Sequence, residues 1–293
     1  MRRRSFLAAT GAAFTALATS GAYARADTSF SRSIGYGTLV PDPKGVLDLP
    51  EGFTYRVISS LGDAMSDGAT VPDKADGMGC FDLGDGRLAL VRNHELVPRD
   101  SSGGAFELGF GAKDSVLVPG GTTHVVLDQK SLEVTDQFRS LGGTIRNCSG
   151  GITPWGSWLT CEESATGPGQ KYGEGLDKNH GWVFEVPATA TGLVDPKPLV
   201  AMGRFNHEAA CVDPATGLVY LTEDRTDSVL YRFIPRVPGD LSQGGRLQAM
   251  RVEGIPDLRN WTGMSMAVGA AGKVTWVDFC LLYTSDAADE VDS

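Results

Sequence analysis

Acidic residues collect at the ends of predicted strands in this chain. Three hairpin-like segments each run from an alternating apolar stretch into one or two carboxylates. If these strand ends meet, their like charges raise the pKa of the carboxyl groups unless a cation neutralises them. Hard oxygen ligands in this number are typical of a Ca²⁺ site. The candidate metal-ligating acids are Glu95, Glu162, Glu163, Glu208, Glu223 and Asp224.

A cysteine extends this set of candidate ligands. Cys148 lies in a glycine-rich turn, residues 147–151, and is a candidate thiolate. Carboxylates together with a thiolate can also hold a higher-valent transition metal. Cys80 and Cys211, which begin equivalent hairpins, are predicted to be small buried hydrophobes. Because Glu162 and Glu163 are adjacent on extended chain, their side chains point in opposite directions, and we favour Glu162 as the ligand.

A hairpin pattern that recurs four times sets the predicted fold. In each copy a turn ending in glycine leads into a short alternating strand and then into acids. Such repeats, spaced here at roughly 55–70 residues, are typical of propeller blades. The sequence therefore predicts an all-β propeller of four-stranded antiparallel blades, whose strand ends meet around one axis. The copies are residues 80–95, 148–163, 211–225 and 266–279, with second strands at 87–92, 157–161, 218–222 and 273–277.

Further strands are predicted after each hairpin from short runs of Val, Leu, Tyr and Phe bounded by Gly, Pro, Asp and Ser. One of them is residues 198–205, and residues 52–62 are predicted as an outer strand that closes the ring. Beyond the leader, no apolar period of 3.6 persists long enough to indicate a helix.

Both termini are interpreted as lying outside the fold. Residues 1–26 have the twin-arginine pattern, Arg3 and Arg4 before an apolar run, of a signal for folded-protein export. The export machinery is then a partner, and the location is periplasmic or secreted. Residues 280–293 resemble a translated sequencing adapter and are interpreted as a non-native tail after a partial propeller domain, residues 27–279. We therefore expect a ring that lacks blades, poor solubility and an inactive chain.

The charge of the chain limits its partners. The formal net charge is −10 even with the basic leader included. This charge makes nucleic acid and anionic membrane surfaces poor binding partners, and no nucleic-acid partner is predicted. The oligomeric state is left open by the sequence.

Three long motifs carry a family resemblance. RNHE (residues 92–95), NCSGGITPWGSWLTCEE (147–163) and GRFNHEAACVDPATGLVYLTEDR (203–225) resemble motifs of the bacterial PhoX-type alkaline phosphatases. The resemblance implies an exported phosphomonoesterase on a six-bladed propeller, incomplete here, acting on a small phosphate ester. It also implies a cofactor of calcium and iron ions, held by carboxylates and a cysteine.

Phosphate ester hydrolysis also needs groups that contact the substrate. Metal ions draw charge from the phosphoryl oxygens, and arginine can grip those oxygens. Arg225, directly after Glu223 and Asp224, is the first candidate, followed by Arg204 and Arg92. His207 and His94 are candidates for a ligand or a general acid, or are structural.

Two other functions remain open at this point. A calcium-dependent propeller lactonase or esterase would share the axial acids, although it would need neither a thiolate nor phosphate-gripping arginines. A non-catalytic propeller would use the acids only to hold calcium and would act as a binding platform.

Overall fold

The structure is a computed structural model that describes residues 35–104, 108–111, 118–173, 175–259, 263 and 266–278. In this part of the chain the regular structure is antiparallel β-strand, apart from one short 3-10 helix, Val200–Met202. The predicted all-β class is thereby confirmed. None of the described helical segments has the length and apolar character of a membrane span. The leader and the tail, including Arg3, Arg4 and Cys280, lie outside the described residues.

The chain divides into two compact units at Val57 and Ile58. In the first unit, β1 (Leu39–Val40) pairs antiparallel with β2 (Leu49–Pro50). The carboxylate of Asp42 organises the loop between them by accepting several hydrogen bonds, as in other Asx-type turns. Its donors are the backbone N–H groups of Lys44, Val46 and Leu47 and the hydroxyl of Tyr55.

The second unit contains three antiparallel sheets, and in each sheet the strands are hydrogen-bonded in chain order. Each sheet is thus a local meander, and the second strands begin directly after or close to the predicted turn glycines. The first sheet contains β3 (Ala75–Asp82), β4 (Arg87–His94), β5 (Gly120–Asp128) and β6 (Val134–Thr144). The second contains β7 (Asn147–Ile152), β8 (Ser157–Glu162) and β9 (Val183–Pro187). The third contains β10 (His207–Val212), β11 (Val219–Glu223), β12 (Tyr231–Val237), β13 (Asp240–Val252) and β14 (Val274–Asp278).

The three sheets stack face to face, with the second in the middle. Successive side chains of a strand point to opposite faces. Accordingly, Trp158 of β8 packs in a cluster with Phe81 of the first sheet, whereas its neighbour Leu159 packs with Val219 and Leu221 of the third. Every residue of β8 is buried. The apolar layers on both sides of the second sheet are what hold the three sheets in sequence order.

The prediction of a fourth hairpin that begins a new sheet is wrong for the part of the chain that the structure describes. The first three second strands, β4, β8 and β11, occupy equivalent positions as predicted. The fourth segment instead forms β14, which pairs with β13 from Val252↔Val274 to Gln248↔Asp278. It therefore becomes a fifth strand of the third sheet. The physical reason is that the outer edge of β13 offers unpaired N–H and C=O groups, which a free strand can satisfy.

Two predicted strands take other conformations. Residues 52–62 form no strand, and within the described residues no strand lies beside them to supply a ladder of hydrogen bonds. In residues 198–205, Pro198 makes a single bridge to Phe184, and the 3-10 helix then ends at Gly203 with φ 88°. The second sheet consequently has three strands rather than the predicted four.

The predicted burial of two cysteines is also wrong. Cys80 and Cys211 are exposed. Their neighbours in sequence, Phe81 and Val212, pack against the second sheet. Cys80 and Cys211 therefore point to the other face of their strands. Alternation along β3 and β10 therefore places them away from the apolar layers.

Candidate metal centre

One end of the three sheets presents the same local geometry three times. In each sheet the first strand begins beside the residue where the second strand ends. The corresponding antiparallel pairs are Ala75↔His94, Asn147↔Glu162 and His207↔Glu223. The second residue of each first strand and the residue that follows each second strand are therefore brought together at this end.

A β-bulge follows each of these three pairs. The register shifts between Ala75 and Met78, between Asn147 and Gly150, and between His207 and Ala210. The first bulged residue has no partner opposite it, so its side chain can be aimed out of the regular alternation, as is common next to active sites. The residues at this equivalent position are Asp76, Cys148 and Glu208.

A second set of equivalent positions follows the ends of the second strands. The residue directly after β4, β8 and β11 is in each case an acid: Glu95, Glu163 and Asp224. Three bulge positions and three strand-end positions thus supply five carboxylates and one thiol. The repeated hairpin is the reason that these residues, which lie far apart in sequence, occupy corresponding places.

Three members of these sets come close enough to share a cation. The ligand atoms of Cys148, Glu163 and Glu208 all lie within 4.8 Å of one another. Cys148 and Glu163 are buried, and Glu208 is half-buried. The group combines one soft sulfur with two hard oxygens, a donor set that suits a transition metal better than a calcium ion alone.

An arginine links two of the carboxylates. Arg146 donates from Nε and Nη2 to Oε1 of Glu95, at 3.1 and 2.9 Å, and from Nη2 to Oε2 of Glu163 at 2.5 Å. Burial alone would lower the pKa of Arg146, but hydrogen bonding to Glu95 and the charges of both acids outweigh burial and raise it. The guanidinium is therefore a fixed positive charge beside the two acids.

The carboxylates of the centre repel one another in spite of Arg146. Burial, a hydrogen bond with Asp224 and the charge of Glu208 raise the pKa of Glu163 to about 7, against the opposing effect of Arg146. Partial burial, together with the charges of Glu95 and Glu208, raises the pKa of Asp76. Glu163 therefore binds a proton near neutral pH, and a divalent cation would displace that proton.

The thiol of Cys148 is in a similar condition. Burial and the charge of Glu208 raise its pKa well above the ordinary range. Its sulfur lies 3.4 Å from the carbonyl oxygen of His207 and 3.6 Å from that of Glu208. A bound metal would stabilise the thiolate, since metal ligation deprotonates a coordinating thiol.

Two predicted ligands point elsewhere. Glu162 is fully buried and accepts hydrogen bonds from the backbone N–H groups of Ile145, Gly181 and Trp182, while His180 Nδ1 lies 2.6 Å from its Oε1. Glu223 accepts from the hydroxyl of Tyr231. Each directly precedes a strand-end acid, so alternation turns its side chain away. Of the adjacent pair, the structure thus brings Glu163 into the cluster rather than the favoured Glu162.

Among the described residues, the predicted substrate arginines form no hydrogen bond or ion pair with Glu163 or Glu208. Arg204 is buried and donates from Nε to the carbonyl oxygen of His180. Arg92 donates to the hydroxyl of Thr123 within the first sheet. The positive charge of Arg225 acts on Glu223, where it opposes the rise in the pKa of that carboxyl group caused by burial.

The two candidate histidines are part of the protein interior. His207 lies with Nε2 3.1 Å from the carbonyl oxygen of Gly203 and is stacked on Phe205. His94 lies between the carbonyl oxygen of Asp73 and the hydroxyl of Thr123. Burial lowers the pKa of His207 to about 4 and that of His94 to about 3. Both are therefore neutral at physiological pH and have structural contacts.

Sequence reasoning missed Asp76 and Arg146. Asp76 lies four residues before Cys80, which had been aligned with Cys148, and the alignment was wrong by this offset. A count from the strand ends does not reveal Asp76 either, because it lies 19 residues before Glu95, whereas Cys148 lies 15 before Glu163 and Glu208 lies 16 before Asp224. The equivalence appears only in the strand pairing, where each of these residues follows the first pair of its hairpin. Arg146 had no motif signal, because it lies in the short link between β6 and β7.

Comparison with known proteins gives a family and a fold. Residues 34–291 match the family described as alkaline phosphatase PhoX. No curated protein matches the chain significantly. A solved structure, Pseudomonas fluorescens PhoX in complex with vanadate, a transition state analogue, is similar with a TM-score of 0.53 and 18% sequence identity.

That likeness covers 78% of this chain and 56% of the Pseudomonas fluorescens chain, so this chain spans little more than half of its relative's length. At this identity the likeness shows the fold alone. It supports the β-propeller-like architecture predicted from the repeated hairpins. The number of blades stays a prediction.

Proposed function

The chain belongs to the PhoX alkaline phosphatase family, and from this premise we propose that it hydrolyses phosphate monoesters at a metal centre between its sheets. The observation that carries the proposal is the convergence of six equivalent positions from three hairpins. Asp76, Cys148 and Glu208 come from the bulges, and Glu95, Glu163 and Asp224 from the strand ends.

The residues present fit a centre of calcium and iron ions. Cys148, Glu163 and Glu208 form the one compact thiol-containing group among the described residues, and they would hold iron. Calcium would be held by the oxygen ligands around this group, Asp76 beside Glu95 and Asp224 beside Glu163. The pKa values of these carboxyl groups and of the thiol are raised because their negative charges are buried and repel one another. Bound cations would neutralise those charges.

When bound, the ions supply Lewis acidity for the phosphoryl oxygens and a nucleophilic oxygen near neutral pH. The protein's own groups fix the arrangement. The bulges aim Asp76, Cys148 and Glu208, and the backbone N–H of Glu163 donates to the carbonyl oxygen of Arg146 at 2.9 Å. Arg146 offsets part of the negative charge that the anionic substrate meets.

We further propose export by the twin-arginine route, on the strength of Arg3 and Arg4. If the metal is inserted in the cytoplasm, the protein folds before export and needs a route that accepts folded proteins. The test is location of the protein in fractionated cells, compared with a variant in which both arginines are lysine. Equal distribution of the two would contradict export by this route.

The activity is tested with a chromogenic phosphate monoester, with a phosphodiester and a lactone as alternatives. The protein used is a version in which native sequence replaces the predicted non-native tail, residues 280–293, because the chain with that tail is expected to be inactive; this version is the wild type of the experiments below. The protein is first treated with a chelator and then given calcium, iron or both. We expect hydrolysis of the monoester alone, with full activity only when both metals are present, and inhibition by vanadate. Lactone hydrolysis with calcium alone would overturn the proposal, as would binding of both metals without any hydrolysis.

A further inference from the structure

The backbone of Arg146 is held at a strained position beside the metal centre. Its φ is 47°, in the left-handed region that residues other than glycine seldom adopt. Its N–H donates to the carbonyl oxygen of Leu96 at 2.8 Å, and its carbonyl oxygen accepts from the N–H of Glu163 at 2.9 Å. Since Leu96 directly follows Glu95, this link residue is attached to two of the three strand ends that carry centre acids. A strained conformation held in this way points to a functional demand on the side chain.

The side chain of Arg146 uses only part of its hydrogen-bonding capacity. Nε and Nη2 donate to Glu95 and Glu163. Nη1 donates no hydrogen bond to any residue in the described part of the chain. The side chain is 38% exposed. Two carboxylates therefore fix the plane of the guanidinium, and the two N–H groups of Nη1 stay available to a ligand that enters from solvent.

We propose that Arg146 binds the non-bridging oxygens of the substrate's phosphoryl group through Nη1. This inference rests on the proposed phosphatase function and assigns the substrate-contacting arginine within it. The chemistry is that of a charge-assisted hydrogen bond from an arginine to a phosphate oxygen. Arg146 touches two acids of the centre directly, whereas Arg92 and Arg204 donate to a hydroxyl and a carbonyl inside the sheets.

The proposed role explains why the arginine is paired with acids and still partly exposed. An arginine that only neutralised the acids would gain most by donating from every nitrogen. Here the carboxylates occupy one edge of the guanidinium and leave Nη1 unengaged by the described residues. Orientation in advance lowers the entropic cost of binding a substrate group.

The experiment compares wild type with Arg146→Lys and Arg146→Gln, each loaded with calcium and iron. The matched control is Arg87→Gln, which removes an exposed arginine paired with Asp85 far from the centre acids in the hairpin turn. Three quantities are measured: bound metal per chain, the dissociation constant of inorganic phosphate by calorimetry, and kcat and KM for a phosphate monoester. Arg146→Lys keeps the positive charge next to Glu95 and Glu163, so it tests the role even if Arg146→Gln does not fold.

We expect Arg146→Lys to keep the wild-type metal content while its phosphate dissociation constant and its KM rise roughly 10–100-fold. Free guanidinium is expected to restore part of the phosphate affinity of Arg146→Gln, and Arg87→Gln is expected to match wild type. Unchanged phosphate affinity with reduced metal content would overturn the proposal and make Arg146 a residue that stabilises the centre. If wild type loaded with both metals neither hydrolyses the ester nor binds phosphate, the proposed function itself fails, and this inference fails with it.

Discussion

The amide nitrogen of Asn93, on β4 of the first sheet, lies 3.3 Å from the carbonyl oxygen of Cys148, the bulged residue of the second sheet. The same amide donates to the carbonyl oxygen of Ser149 at 2.8 Å. Its oxygen accepts from the indole of Trp158 and the hydroxyl of Thr160. Asn93 is fully buried, so one side chain of the first sheet fixes the bulge that aims the thiol.

Replacement of Asn93 by alanine is expected to destabilise the protein by roughly 3 kcal/mol, because it leaves several buried polar groups of the second sheet without partners. Urea unfolding followed by fluorescence measures this change. Gln129→Ala is the matched control, because the Gln129 amide makes only a long, exposed contact with Asp82. A loss below about 1 kcal/mol for Asn93→Ala would mean that other contacts hold the bulge.

The adjacent acids Glu162 and Glu163 provide a second, paired prediction. Glu162→Gln places an amide NH₂ against backbone donors that now reach a carboxylate, so we expect a loss of stability of several kcal/mol. Glu163→Gln removes a centre carboxylate and is expected to lower the bound metal at least tenfold with little loss of stability. Metal analysis and urea unfolding of both variants distinguish these effects. The reverse pattern would make Glu162 the ligand.

The sequence was sufficient to predict the hairpins because turn glycines and alternating strands are local signals. Gly86 and Gly156, with φ of 85° and 84°, end turns that lead directly into β4 and β8, as the repeat predicts. The acids at the strand ends followed from the same repeat. Residues 198–205 are predicted as a strand because Val and Phe favour strands in isolation. In the structure the pairing with β9 stops after the single bridge from Pro198 to Phe184, and the chain turns into the 3-10 helix that ends at Gly203.

The choice between Glu162 and Glu163 could not be made from the sequence. Alternation shows that the two side chains diverge, but not which of them faces the neighbouring sheets. The answer depends on the register of β7 against β8 and on the bulge at Cys148, which sequence spacing does not reveal. His180, whose ring lies against Glu162, is eighteen positions away and had no motif signal.

Close packing between the second and third sheets leads to a third prediction. A Cβ at Gly151 would overlap the carbonyl group of Ala210, so Gly151→Ala forces the two backbones apart. We expect little soluble protein or a loss above about 3 kcal/mol. The control is Gly156→Ala, which has no atom within 4 Å of its added Cβ and bears only the cost of a positive φ, about 1–2 kcal/mol. Thermal unfolding of the two variants measures the difference, and equal effects would contradict the observed packing.

Buried histidine predicts acid sensitivity. Burial lowers the pKa of His124 to about 4, and its ring stacks on Phe138. Because the folded pKa lies below the unfolded value, the stabilisation is complete above about pH 6.5 and is lost as the pH falls towards 4. His124→Phe keeps the stacking without the titration. We expect the variant to lose less stability than wild type between pH 7 and 4.5, by about 2 kcal/mol, in urea unfolding at each pH. Parallel curves would show that His124 does not titrate in this range.

Removal of metal is expected to make the stability of the protein depend on pH through Glu163. The pKa of Glu163 is raised to about 7 in the metal-free protein, above its ordinary value near 4.5. The folded form is then favoured while Glu163 is protonated, and this stabilisation is lost as the pH rises through 7.

Chelator-treated protein should therefore lose roughly 2 kcal/mol between pH 5.5 and 8, whereas protein loaded with calcium and iron should lose little, because the cations take the place of the protons. Glu163→Gln, treated with the same chelator, has no group to titrate at this position and serves as the control. Its stability should change less than that of wild type over the same interval, as measured by urea unfolding. A chelated wild type whose stability stays constant from pH 5.5 to 8 would mean that Glu163 is already charged beside Arg146, and that the acids of the three sheets need no cation to coexist.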